Sequence, residues 1–298
     1  MSCVVSRNLT DQAAALSAPS HILSRRRGSR RNMTKAAKKL DLSDSHSDHP
    51  VIDTLNKQLP ARLLCREEEL SLLKSYLMAG VSSSPVAVYI SGPPGTGKTA
   101  CLQKTLALLK LEHEFKEVFI NCMNLSQSAQ LYRQISTCLD VSVKSVSSGD
   151  ILKHLEHDFS TRQEPVVLVL DELDQLRCKR DSVLKRIFQW PYLDGSRIRC
   201  VIGISNSLDL TDRSLPFLSP KIKRIHFKPY TSREITAILT DRLSSCTHNL
   251  DPVAIQLCAR KVSAVTGDVR KALDICRMAM QHTGNSEPSL IGGKCSYS

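Results

Sequence analysis

The stretch from Tyr89 to Leu109, YISGPPGTGKTACLQKTLALL, sets the most permissive and the most rigid residues of the chain side by side between an apolar run and a helical pattern. Few folds accept that combination. The run PVAVYIS (85–91) is apolar without alternation and reads as a strand buried on both faces. Gly95 and Gly97 open backbone angles closed to other residues, so successive loop N–H groups can converge on one point. A helix from Lys98 to about Leu111 begins at that point, and its N-terminus adds partial positive charge there. Gly92 to Thr99, GPPGTGKT, fits G-x-x-x-x-G-K-[ST] without a mismatch and lies between strand and helix, as that motif requires. The unit is therefore shaped for a triphosphate. Gly92, Pro93, Pro94, Gly95, Thr96, Gly97, Lys98, Thr99 and Ala100 are expected to cradle it. Lys98 can reach the β- and γ-phosphates, and the Thr99 hydroxyl can ligate Mg²⁺.

A phosphate loop is incomplete without an acidic partner. VVLVLDELDQL (166–176) is a buried apolar run that ends in Asp171 and Glu172, at the strand edge where ligands of open α/β sheets bind. Asp171 is expected to hold Mg²⁺ through water and Glu172 to act as general base on the attacking water. Asp174 reads as a helix N-terminal charge in preference to a metal-facing one. In GISNSLDLTDR (203–213), Asn206 sits just past a strand, where it either positions the attacking water or is an ordinary polar turn residue. In TGDVRKALDICR (266–277), Gly267 breaks one helix and Asp268 can cap the next. Arg270 then falls in a first turn, where a cation opposes the helix dipole. It serves either a γ-phosphate or an acidic neighbour.

Between these motifs, apolar strand cores alternate with helical patterns. That order predicts an α/β fold, a mostly parallel sheet covered by helices, followed by a small helical lid. The expected divisions are a basic, unstructured segment 1–56, a nucleotide-binding domain 57–229, a three-helix lid 230–283 and a frayed tail 284–298. Gly80 is expected to end a helix from Arg66, and Ser126 to cap a helix to Leu139.

The net charge of +12 favours a polyanionic partner. The block SRRRGSRRNMTKAAKK (24–39) reads as a nuclear import signal, a DNA-contacting arm or a solvated tail. Eleven cysteines without a C-x-x-C spacing exclude a zinc ribbon and a disulfide framework, which indicates a reducing compartment, cytosol or nucleus. No apolar run approaches the roughly 18 residues a membrane span needs.

The motifs SGPPGTGKTACL, VLVLDELDQL, GISNSLDLTDR, PYTSREITAILTDRL and CARKVSAVTGDVRKALDICR together resemble the AAA+ replication-initiator ATPases, over about Leu59 to Met280. Within them they resemble the cell division control protein 6 family, related to the largest origin recognition complex subunit. By that resemblance Asn206 is a sensor 1 residue and Arg270 a sensor 2 residue. LPARLLCREEEL would line the adenine side, with Arg66 as the foremost residue there. The resemblance also implies assembly with the origin recognition complex on origin DNA, recruitment of the replicative helicase with its loading partner, and a nuclear location with shuttling to the cytoplasm open. The family's winged helix after the lid has no counterpart before Ser298, so a truncated chain is expected. Phe217 and Lys221 stand where family arginines are expected, leaving Lys223 or Arg224 for any arginine finger. An ATP-bound scaffold with negligible turnover and another AAA+ initiator or clamp-loader subunit are the alternative readings.

Overall fold

The computed structural model describes residues 62–143, 147–176, 180–206, 221–244 and 250–284. All of these lie in the compact unit Asp48–Ser298. The basic segment 1–56, the region around Phe217 and the tail from 285 onward lie outside the described residues.

Five strands among the described residues form one sheet. They are β1 Val86–Ser91, β2 Lys116–Asn121, β3 Val166–Asp171, β4 Ile198–Ser205 and β5 Ile222–His226. Every pairing is parallel, in the order β2-β3-β4-β1-β5. Unbroken apolar runs are what such a sheet demands, because side chains alternate between two covered faces. Ala87, Tyr89, Val166, Leu168 and Leu170 face one core; Val86, Val88, Ile90, Val167 and Val169 face the other. Helices α1 (Glu67–Ser82) and α2 (Lys98–Glu112) cover the second face through Leu73, Leu77, Leu102 and Leu106. Helices α3 (Ser128–Cys138), α4 (Ser148–Thr161) and α5 (Arg180–Gln189) cover the first. There the fully buried Trp190 meets Phe159 edge-on at 4.9 Å, and its indole N–H donates to Glu156 at 3.0 Å.

Beyond β5, helices α6 (Ser232–Leu243), α7 (Pro252–Val265) and α8 (Val269–Gly284) close a third core of Tyr230, Ile235, Leu239, Ala259, Val262 and Leu273. Local signals start two of them. The Glu234 carboxylate accepts from Thr231 N–H at 2.7 Å while Thr231 Oγ1 accepts from Glu234 N–H, a reciprocal cap. Asp251 Oδ1 accepts from Val253 N–H, with Pro252 at the first helical position. Among the described residues, no helix is long and apolar enough to cross a membrane.

Two local readings differ from the structure. Gly80 does not end α1, which runs on to Ser82. A Cβ at Gly80 would lie 2.3 Å from Cys200 Sγ and 2.7 Å from Val86 Cγ1, so the glycine lets α1 approach β1 and β4. The cap of α3 is Gln127 and not Ser126, because Gln130 Oε1 turns back to accept from the N–H groups of both. Gly80→Ala is expected to destabilise the fold. Overpacking costs about 1–3 kcal/mol and outweighs the roughly 1 kcal/mol that alanine gains in helix propensity. A lowered urea midpoint with unchanged m-value is the expected reading, and a raised midpoint would show that Cys200 yields freely.

Candidate functional site

Sheet register brings the separate motifs together. Ser91 pairs with Ser205 on one side and His226 on the other, and Asn121 pairs with Asp171. The loops after β1, β3, β4 and β5 therefore leave the sheet at one edge. Beneath the lid, that edge opens into a cavity of about 310 Å³. Its lining includes the polar Lys98, Thr99, Asp171, Glu172, Asn206 and Arg270 and the less polar Leu63, Leu64, Tyr230, Ile238 and Leu273.

Two glycines give the loop its shape, with Gly95 at φ +72° and Gly97 at φ +89°. Behind them Lys98 is largely buried, and its Nζ donates to Gly92 O at 2.7 Å, Pro93 O at 2.9 Å and Asn206 Oδ1 at 2.9 Å. Burial pulls its pKa down from the ordinary lysine value, and nearby Glu172 and Asp171 oppose that pull. Gly92 and Pro93 thus face Lys98 through their carbonyls, whereas Pro94 through Ala100 line the cavity.

Thr99 Oγ1 donates to Asp171 Oδ2 at 3.0 Å. A hydroxyl and a carboxylate so placed fit Mg²⁺, a hard cation usually held by one or two protein oxygens together with phosphate and water. Among the described residues no group of three or more His, Cys, Asp or Glu side chains could hold a metal ion, so phosphate would have to complete the shell. Burial raises the pKa of Asp171, against the hydrogen bonds from Thr99 and from the Glu172 N–H. Glu172 is held at φ +56°, unusual for a residue with a side chain, and such strain gathers at functional positions. Its pKa is raised by burial and then by Asp171 and Asp174.

Asn206 joins the two halves. Its Oδ1 accepts from Lys98, and its Nδ2 donates to Glu172 Oε2 at 2.9 Å. Asp174 fixes this amide. Its Oδ1 accepts from Asn206 N–H at 3.0 Å and from Ser205 Oγ at 3.1 Å. These bonds hold its pKa below the usual range despite burial. Asp174 lies in the short turn Leu173–Gln175 and is a brace for Asn206, a role its position in the chain did not suggest.

Arg66 is the correction at this site. It does not line the cavity; Arg62, Leu63 and Leu64 of the same segment do. Its guanidinium is buried, donating to Thr96 O at 3.1 Å, Glu69 Oε1 at 2.9 Å and Lys228 O at 2.6 Å, with Tyr230 stacked at 4.0 Å. Burial opposes its charge, but Tyr230 and Glu69 more than offset this and raise its pKa. Through Thr96 and Lys228 it ties the phosphate loop to the segment leading into the lid. Arg66→Ala is expected to cost roughly 3 kcal/mol, since buried carbonyls lose their donors, and Arg66→Lys should rescue little because an ammonium lacks the fork. Full rescue of the thermal midpoint by lysine would show that charge alone matters.

Arg270 reaches the cavity from the first turn of α8, with its side chain 52% exposed, and its guanidinium lies on Asp268. The acidic neighbour of the two alternatives is therefore Asp268. Lys223 and Arg224 lie exposed on the edge strand β5.

Comparison with known proteins agrees with this architecture. Residues 82–205 match the AAA domain family, and residues 230–283 match the Cdc6/ORC-like ATPase lid domain. The chain is 43% identical over 237 residues to the cell division control protein 6 homolog of Homo sapiens, covering 76% of this chain and 42% of that protein. It is 37% identical over 245 residues to origin recognition complex subunit 1 of Plasmodium falciparum, covering 78% of this chain and 20% of that protein. The solved structure of Drosophila ORC bound to DNA superposes with a TM-score of 0.69 at 33% identity, covering 83% of this chain and 64% of the other. The chain thus spans less than half the length of these curated relatives.

Proposed function

The chain carries the AAA+ ATPase domain and lid of the Cdc6/ORC1 family of replication initiators, and on that premise we propose that it is an assembly switch for replication licensing. ATP and Mg²⁺ occupy the crevice between sheet and lid, and hydrolysis changes affinity for partners. The observation that carries this reading is Asn206, bonded at once to Lys98 of the phosphate loop and to Glu172 of the acidic turn.

Each residue then has a task. Lys98 exchanges the carbonyls of Gly92 and Pro93 for phosphate oxygens. Thr99 and Asp171 would hold Mg²⁺, which would supply positive charge against the phosphates. Glu172 takes the proton of the attacking water, and Asn206 aims its carboxylate. Arg270 brings a cation from the lid, so the lid senses the γ-phosphate. The adenine lies among Leu63, Leu64, Tyr230 and Ile238.

On this reading its partners are the origin recognition complex and DNA at origins, which the names of the relatives support, and through them the replicative helicase and its loading partner, in the nucleus. Retention of the chain on DNA carrying the origin recognition complex tests this. It is expected with ATP or a non-hydrolysable analogue and lost with ADP. Equal retention under all nucleotides, or none, would contradict the switch.

A further inference from the structure

Asp268 has no place in the hydrolysis just described, yet it is 6% exposed beside the phosphate loop. Its carboxylate occupies the space a side chain at Gly95 would need, since a Cβ there would lie 1.6 Å from Oδ1 and 2.0 Å from Cγ. Next to it, Val269 N–H points at Gly95 O at 3.4 Å. Lid and loop therefore touch through this residue.

Oδ1 of Asp268 accepts from the Arg270 backbone N–H at 2.9 Å and from Arg270 Nε at 3.2 Å, while Oδ2 accepts from Nη2 at 3.3 Å. One carboxylate thus caps α8 and grips the guanidinium in a fork. Asp268 does not line the cavity, whereas Arg270 does. A cation in a first helical turn meets an unfavourable dipole, and this pairing relieves it.

We propose that Asp268 competes with the γ-phosphate for Arg270 and so sets the preference of the site for ATP over ADP. This rests on the reading of Arg270 as the lid's phosphate sensor. In the free protein the guanidinium is held by Asp268. A triphosphate must draw it away, whereas a diphosphate leaves it in place. Part of the binding free energy of the third phosphate is spent on that release, which weakens ATP binding and makes lid position depend on nucleotide state. Asp268 is a positioning residue and touches no substrate atom.

Asp268→Asn keeps the helix cap, because asparagine caps as well as aspartate, but removes the ionic grip. Asp268→Ser also caps and is too short to hold the guanidinium. Calorimetry on both variants, on Arg270→Ala and on the Asp268→Asn/Arg270→Ala double variant separates the possibilities. The expected result is ATP affinity raised roughly 10-fold, the scale of one charge-assisted hydrogen bond. ADP affinity should be unchanged, and the gain should vanish without Arg270. Equal gains for ATP and ADP would reduce the effect to removal of a negative charge and overturn the competition, as would a gain that survives Arg270→Ala or no gain at all. If Arg270→Ala alone leaves the ATP-to-ADP ratio unchanged, the sensor reading itself fails and the inference falls with it. If that ratio drops but Asp268→Asn does not raise it, only the inference fails.

Discussion

Glu172→Gln should reduce ATP hydrolysis by about 10²–10⁴-fold, the range for loss of a positioned general base, with ATP affinity nearly unchanged. The amide retains an oxygen for the Asn206 Nδ2 that now donates to Glu172 at 2.9 Å, so the turn keeps its shape and only proton acceptance is lost. Single-turnover hydrolysis and calorimetry on one preparation give the two numbers, and DNA with the origin recognition complex should be present to draw out the full rate. Equal, slow turnover by wild type and variant would remove Glu172 from the mechanism and favour an ATP-bound scaffold. Asp174→Asn should act in the same direction but more weakly, because it loosens the brace on Asn206 without removing the base.

Lys98→Ala should weaken ATP binding by roughly 100-fold or more, since charge-assisted hydrogen bonds to phosphate each contribute about 1.5–3 kcal/mol. The free protein indicates how the loss divides. Nζ already has three oxygen acceptors, in Gly92, Pro93 and Asn206, so lysine also fixes the loop before nucleotide arrives. Alanine leaves those acceptors without it, and the loop must then be ordered at the expense of binding. Fold stability should change less than affinity, because removing a buried cation also removes its desolvation cost, the main cause of its lowered pKa. An ATP affinity within a few-fold of wild type would refute the assignment of the phosphate site.

The phosphate loop and the acidic turn were legible because their signals are local. A glycine loop between strand and helix, and an acidic turn at a strand end, follow from residues adjacent in the chain. The same holds for the helix start at Asp268, whose Oδ1 accepts from Arg270 N–H. The unbroken apolar runs of the strands were sufficient to show that both faces of the sheet are covered. In contrast, Arg66 was read as an adenine neighbour when it is a strut to Thr96 and Lys228, the latter 162 positions away. Asp174 bonds Asn206 across 32 positions, and Gly80 is a glycine because Cys200 stands against it.

The sequence by itself determined the phosphate loop, the acidic turn and the order of strands and helices along the chain. Backbone geometry over a few neighbouring residues fixes each of these. Only the tertiary structure decided which charged groups are already engaged by distant parts of the chain: Arg66 by the carbonyls of Thr96 and Lys228, Asp174 by the N–H of Asn206. That outcome depends on distances between elements far apart in the chain, which sequence spacing does not encode and which packing of the sheet, its helices and the lid sets to within a hydrogen bond.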